Sequence, residues 1–251
     1  MAKEQVLGFW RGFRAPFGAT RRLLALPQAW PWSAVPALVF VVLEVGFISG
    51  AWRFLRPWVS EQLARIGWLP DALALGASWL VAALAVVLGW LLAMFLAPVF
   101  SAPALERIVA LTEADLHAPA RAPIGFVAEF WCGARALLSS LVVTLSLVLA
   151  LSLLELLVPP LVVVILPLKL LLGALGVAWG LFDYPLTLRG IGARQRLRFM
   201  SQHFAVVLGF GSAFSLVFWL PCFGLLMLPV GVAAATQLYW EIERAGVSVN
   251  E

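Results

Sequence analysis

Four stretches of this 251-residue chain run on with almost no charged side chain: residues 23–52, 72–105, 136–182 and 204–240. A bilayer's hydrocarbon core accepts about 20 apolar residues as a helix, so each stretch is long enough to enter one. Their prolines set the expected helix ends. In the first, Glu44 is the only charge, and Pro27, Pro31 and Pro36 put the start of regular helix near Ser33 to Pro36, which gives a span over 33–52. The second carries no charge, and Pro98 and Pro103 stop a helix over 72–97, about 39 Å long at 1.5 Å per residue. Glu155, the pair Pro159-Pro160, Pro167 and Lys169 divide the third stretch into two shorter helices. Pro221, Gly224 and Pro229 divide the fourth into halves of about 25 Å or less.

The connectors inside the last two stretches, 156–166 and 219–225, have no polar side chain, which suits a tip inside the membrane better than a loop in water. The expected fold is therefore an all-α integral membrane protein, one polytopic domain over 1–251. It has two long transmembrane helices (33–52 and 72–97), two re-entrant, hemi-penetrating helical hairpins (136–182 and 204–240), and interfacial amphipathic helices. Two fully spanning hairpins are the alternative.

Charges outside these stretches set the expected topology. Lys3, Arg11, Arg14, Arg21 and Arg22 precede the first span, Arg189, Arg194, Arg196 and Arg198 follow the third stretch, and segments rich in Lys and Arg stay cytoplasmic. The loop 53–71 is nearly balanced. The long spans then go out and back, each hairpin begins and ends inside, and both termini are cytoplasmic. The arm, residues 1–32, lacks the short apolar core and small-residue cleavage site of a secretory signal and is expected to be retained. Val6, Phe9, Trp10, Phe13 and Phe17 recur at helical spacing opposite Arg11, Arg14 and Arg21, which predicts an interfacial helix weakened by Gly8, Gly12 and Pro16. A second such segment covers 197–204, and 117–123 has the composition of a surface linker.

Composition agrees with the pattern. The chain is 63% hydrophobic and 12% charged, against about 25% charged in soluble domains, so soluble enzyme scaffolds are excluded. The net charge of +4 comes from the clusters just named and reports topology, so no nucleic-acid partner is expected. Cys132 and Cys222 lie far apart in apolar surroundings, with neither a disulfide framework nor metal-ligand spacing. Many of the twelve tryptophans, among them Trp30, Trp32, Trp52, Trp58 and Trp68, fit an interfacial aromatic belt.

Chemistry-bearing residues are few. No H-E-x-x-H pair, paired aspartates or phosphate loop occurs, and Ser212 with His203 is the nearest approach to a serine dyad, with packing the commoner use of Gly209-Phe210-Gly211-Ser212. The expectation is no enzyme, no cofactor and no metal. Gly46 with Gly50 and Gly176 with Gly180 have the spacing that lets helix backbones approach in lipid, within the chain rather than in a homo-oligomer, although an oligomer is compatible with it. Ionisable groups at membrane depth cost a few kcal/mol, so Glu44, Glu155 and Lys169 count as functional candidates, with Arg53 or Arg56 as partners for Glu44 and snorkelling open to Lys169. Glu106, Arg107, Glu129, Arg135 and Asp183, beside the ends of apolar runs, are better placed to converge on one polar centre or else to flank the headgroups.

Several of these segments resemble the CysZ sulfate permeases and the related etoposide-induced membrane proteins. Phe182-Asp183-Tyr184-Pro185-Leu186, Trp219-Leu220-Pro221 and Leu228-Pro229-Val230-Gly231-Val232-Ala233-Ala234-Ala235-Thr236 look like the family's D-Y-P, I-P and P-V-x-V-x-G-A-T signatures. Leu96-Ala97-Pro98-Val99-Phe100, with Leu105-Glu106-Arg107 after it, is similar to its A-P-F element. The resemblance spans nearly the whole chain and implies two long spans with two hemi-penetrating helix pairs. It implies sulfate uptake in a bacterial inner membrane, or the non-transport roles of the eukaryotic branch. The family's anion loop, P-G-[IL]-R-R, corresponds here to Pro27-Gln28-Ala29-Trp30-Pro31, without the glycine or the arginines, and the third-stretch tip is Leu157-Val158-Pro159-Pro160. A dianion needs charge-assisted donors, and Arg21 and Arg22, a turn or two earlier, are the candidates for anion access. The expectation is a permease or channel for a small inorganic anion, sulfate first, embedded in the lipid bilayer, with its polar centre at Glu106, Arg107, Glu129, Arg135 and Asp183. The alternative is a non-transporting membrane scaffold or assembly factor.

Overall fold

The structure is a computed structural model and describes residues 2–65, 71–119, 131, 142, 145–218 and 223–245. All regular structure among them is helical, and the chain divides into two compact units, Val35–Ser101 and Met1–Ala34 with Ala102–Glu251. Among the described residues, four helical stretches are long and apolar enough to cross a bilayer: Pro27–Ala64, Ala72–Phe100, Pro159–Leu188 and Phe223–Arg244.

The smaller unit is built from α2 (Trp30–Gly50), a π turn (Ala51–Leu55), α3 (Arg56–Ala64) and α4 (Asp71–Phe100). Helix α4, with 30 residues, is about 45 Å long and exceeds a hydrocarbon core of roughly 30 Å. Both long helices outrun the ends expected from their prolines. Pro31 sits in the first turn of α2, where an amide would have no helical partner anyway, while Pro36 and Pro98 lie inside the helices. The two helices meet where Gly89 faces Phe47, so closely that a β-carbon on Gly89 would come 2.6 Å from Phe47 Cβ. Nearer the connecting end, Trp52 and Trp79 pack edge to face at 5.2 Å, and the Arg56 guanidinium lies 4.2 Å over Trp79 and 5.1 Å over Trp52. Arg56 is therefore engaged with rings rather than Glu44, whose Oε2 is buried with no hydrogen-bond partner among the described residues. Among the described residues nothing lies within 4 Å of a β-carbon placed on Gly46 or Gly50, so the expected close packing of this small-residue pair within the chain is not seen there.

The larger unit holds α1 (Ala2–Leu24), α5 (Ala102–Asp115), α6 (Leu145–Leu157), α7 (Val162–Leu188), α8 (Ala193–Gln202), α9 (Phe204–Phe218) and α10 (Phe223–Arg244). Helix α10 is its centre. In its most apolar stretch 67% of residues are buried, against 11–22% in the other three candidate spans, which present their Leu and Val side chains outward. Helix α9 is thin on two sides: a β-carbon on Gly209 would lie 2.0 Å from Phe9 O of α1, and one on Gly211 2.0 Å from Ala174 O of α7. Gly12 of α1 returns the contact, 2.0 Å from Val206 O. The glycines that weaken α1 as an isolated helix are what let it cross α9 backbone to backbone.

The third stretch does fold as two helices, α6 and α7, joined by a 3-10 turn at Pro159–Leu161, but Pro167 does not break α7. Likewise α10 runs through Pro229; α9 ends at Phe218 and α10 begins at Phe223, and Pro221 lies outside the described residues. Helix α8 meets α9 at 93°.

Candidate functional site

The larger unit gathers its charges at one end, where α7 and α10 finish, α9 begins and α5 crosses. Asp183 is buried on α7 and accepts a hydrogen bond from Arg196 Nη1 of α8, whose Nε donates to Ile191 O at 2.7 Å. One turn and a half further on, Arg189 donates through Nε (3.1 Å) and Nη2 (2.9 Å) to Oε1 of Glu113 on α5, a carboxylate also buried. The same guanidinium lies flat against α10, 4.1 Å over Trp240 and 5.8 Å from the Tyr239 ring. Glu106, just under two turns before Glu113 on α5, is buried as well. Arg244 of α10 donates to Leu116 O at the end of α5. Removing opposite charges from water together is tolerable only when each is paired and hydrogen-bonded, as both arginines are.

Helix α1 ties onto the same end. Arg11 pairs with Glu241 (2.8 Å), which also accepts from Gln237, and Arg22 pairs with Asp115 (3.3 Å). A second ion pair stands apart from this centre: Lys169 of α7 donates to Glu155 of α6, beside an open hollow lined by Ser152, Glu155, Leu156, Pro159 and Val162. The two membrane-depth charges of the third stretch thus satisfy each other. His203 sits at the α8–α9 corner with Nδ1 2.9 Å from Phe199 O, and Ser212 is about 13 Å further along α9, so they form no dyad.

Of the residues expected at the polar centre, Glu106 and Asp183 are buried at this end of the unit. Arg107 is exposed, turned about 100° around α5 from Glu106, because Leu105, Glu106, Ile108 and Val109 take the inner side. Glu129 and Arg135 lie outside the described residues. Arg21 is exposed, whereas Arg22 is half-buried against Asp115, so the two do not form one anion-holding pair. Sequence reasoning missed Glu113, Arg189 and Arg196 as members of the centre. The two arginines read only as topology signals, and nothing in the spacing of 113 and 189 announces that they meet.

The family model described as sulfate transporter CysZ/etoposide-induced protein 2.4 matches residues 15–229. The chain belongs to this family. Comparison with curated proteins gives no match. The CysZ-like signatures now have a physical location. Pro229 to Thr236 is an unbroken buried run of α10, in which a β-carbon on Gly231 would lie 2.8 Å from Leu181 Cδ2 and 3.3 Å from Phe214 Cε1. In the D-Y-P segment, Phe182 is fully buried between Phe199 (5.8 Å) and Phe210 (5.1 Å), and Asp183 holds Arg196. Leu105 and Glu106 are buried on α5. The D-Y-P segment, the run from Pro229 to Thr236 and Leu105 therefore share one core of the larger unit, with the polar centre at its charged end, while the A-P-F element belongs to the smaller unit and Trp219-Leu220-Pro221 lies outside the described residues.

Proposed function

We propose that this membrane protein conducts a small inorganic anion, with sulfate the first substrate to test, and that the charged end of the larger unit borders the route. The observation that carries the reading is the set of three buried carboxylates, Glu106, Glu113 and Asp183, with the partly buried Arg189 and Arg196 paired to two of them, in a chain so poor in charge. Such groups in a membrane protein face a bundle interior or a hydrated path and are kept at a cost of several kcal/mol. In the arrangement described here each inner arginine is matched by a carboxylate, so an anion arriving at this end meets the exposed Arg107 and Arg21 first. Conduction then requires Glu113 or Asp183 to yield its arginine to the anion, an exchange of one charge-assisted partner for another. Both termini lie in the cytoplasm of a cell whose inner membrane holds the protein, a placement supported by the arginines of α1 and α8. The re-entrant form of the second hairpin is supported by α9, whose 15 residues reach only about 22 Å.

The same pairing favours a second reading, a non-transporting scaffold whose ion pairs only fasten α5, α7 and α8 together. Radiolabelled sulfate uptake into proteoliposomes separates the two. Arg107 is the residue of choice for substitution because it is exposed and its loss leaves the core intact. A transporter shows uptake above empty liposomes that Arg107→Ala abolishes and Arg107→Lys retains in part. Uptake equal to the empty control removes sulfate, and uptake unchanged by Arg107→Ala removes that residue from the route.

A further inference from the structure

Helix α1 carries four arginines beyond its first turns, and the structure divides them into two kinds. Arg11 and Arg22 turn inward to Glu241 and Asp115. Arg14 and Arg21 turn outward, and neither has a carboxylate partner among the described residues. They alternate along one exposed stripe with large apolar side chains: Trp10 (50% exposed), Arg14, Phe17 (68%), Arg21 and Leu24 (64%). The steps of four, three, four and three residues keep all five on one face of the helix. The reverse face is made of Gly12, Ala19 and Leu23, buried toward α9 and α10. This differs from the expected division into an aromatic face and an arginine face. Small residues hold the inner side, so rings and cations share the outer one.

Helix α8 repeats the device around the corner from α9. Its inner side is Phe199 and Met200, and its outer side presents Arg194 and Leu197, the latter 61% exposed, with no acidic residue anywhere in the helix. Its angle of 93° to α9 lays it flat at the interface when α9 enters the bilayer.

We propose that the outward faces of α1 and α8 form a binding surface for anionic phospholipids, whose phosphates sit between Arg14, Arg21 and Arg194 while Trp10, Phe17 and Leu197 enter the acyl region. The occupant follows from complementarity on both counts. A free anion would use the cations and leave the three apolar side chains in water, and a zwitterionic lipid would use the apolar groups and gain little from arginines whose local acids are already consumed. The inference rests on membrane embedding and not on transport. A chain that moves no sulfate can still bind these lipids, so the failure of one reading leaves the other standing.

The test uses the full chain in phosphatidylcholine nanodiscs carrying trace spin-labelled phosphatidylglycerol or spin-labelled phosphatidylcholine, with the motionally restricted fraction as readout. Each arginine near an anionic surface is worth about fivefold in association. Wild type should restrict phosphatidylglycerol at least about fivefold more than phosphatidylcholine, with the preference lost at 1 M salt, where the screening length falls to about 3 Å. Arg14→Gln with Arg21→Gln and Arg194→Gln should abolish the preference while leaving the melting temperature in pure phosphatidylcholine unchanged. Phe17→Ala with Leu197→Ala should lower restriction of both lipids alike. Equal restriction of the two lipids by wild type, or a preference that survives 1 M salt, overturns the proposal without recourse to any variant. Loss of the preference on adding 5 mM inorganic phosphate at constant ionic strength overturns it in favour of a free-phosphate site.

Discussion

At Gly209 the peptide oxygen of Phe9 occupies the space where any other residue would carry its β-carbon. Gly46, with the same side chain, has no described residue within 4 Å of where its β-carbon would be. The pair gives a controlled comparison: Gly209→Ala should destabilise the protein by about 1–3 kcal/mol, as overpacking does, and Gly46→Ala should be neutral or slightly stabilising. Thermal unfolding in detergent, followed by the near-ultraviolet signal of the tryptophans, checks both. Equal effects would mean that α1 and α9 do not cross at these glycines. A chain read one residue at a time cannot separate the two, because a glycine in an apolar run has the same composition whether it touches a neighbouring backbone or open space. The same holds for Arg189 and Arg196. Their positive charge was legible as a topology signal, but Glu113 lies 76 residues before Arg189, and only the packing of α5 onto α7 brings them together.

For the elements, length and apolarity were the legible part: two long helices and two divided stretches followed from the spacing of charges. The exact breaks were less so. Proline lacks only one amide, and inside an apolar medium a neighbouring helix or the next turn can absorb the gap, so Pro36, Pro98, Pro167 and Pro229 sit within helices. Among the described residues, the adjacent pair Pro159-Pro160, which removes two amides at once, and Pro27, at the turn between α1 and α2, coincide with breaks. The turn at Pro159-Pro160 is strongly apolar, with Leu156 and Leu157 each 78% exposed. In a background with Cys132 and Cys222 replaced by serine, Leu157→Cys should resist a membrane-impermeant maleimide added to either side, as a tip inside the bilayer requires. Rapid labelling from the outside would instead make α6 and α7 a fully spanning hairpin.

On the scale of the whole molecule, the D-Y-P segment and the run from Pro229 to Thr236 line the core of the larger unit, while Arg14, Arg21 and Arg194, which a lipid phosphate would meet, lie outside the family signatures. Membership in the family accordingly fixes the framework more firmly than the cargo. Sulfate uptake and lipid preference are separable measurements on this framework, one directed at Arg107 and the other at Arg14 and Arg194, with Arg21 common to both.

The crossing of α1 with α9 also bears on biogenesis. Helix α1 leaves the ribosome first, and its partner begins about 180 residues later. At roughly 5–20 residues per second, that is an interval on the order of 10–40 s. For that time the segment has no glycine-lined backbone to lie against and must wait with its inner face uncovered. A nascent chain halted before Phe204 should therefore leave α1 open to protease, and release of the finished chain should close it. Protection already complete in the halted chain would mean that something other than α9 shelters the segment during synthesis.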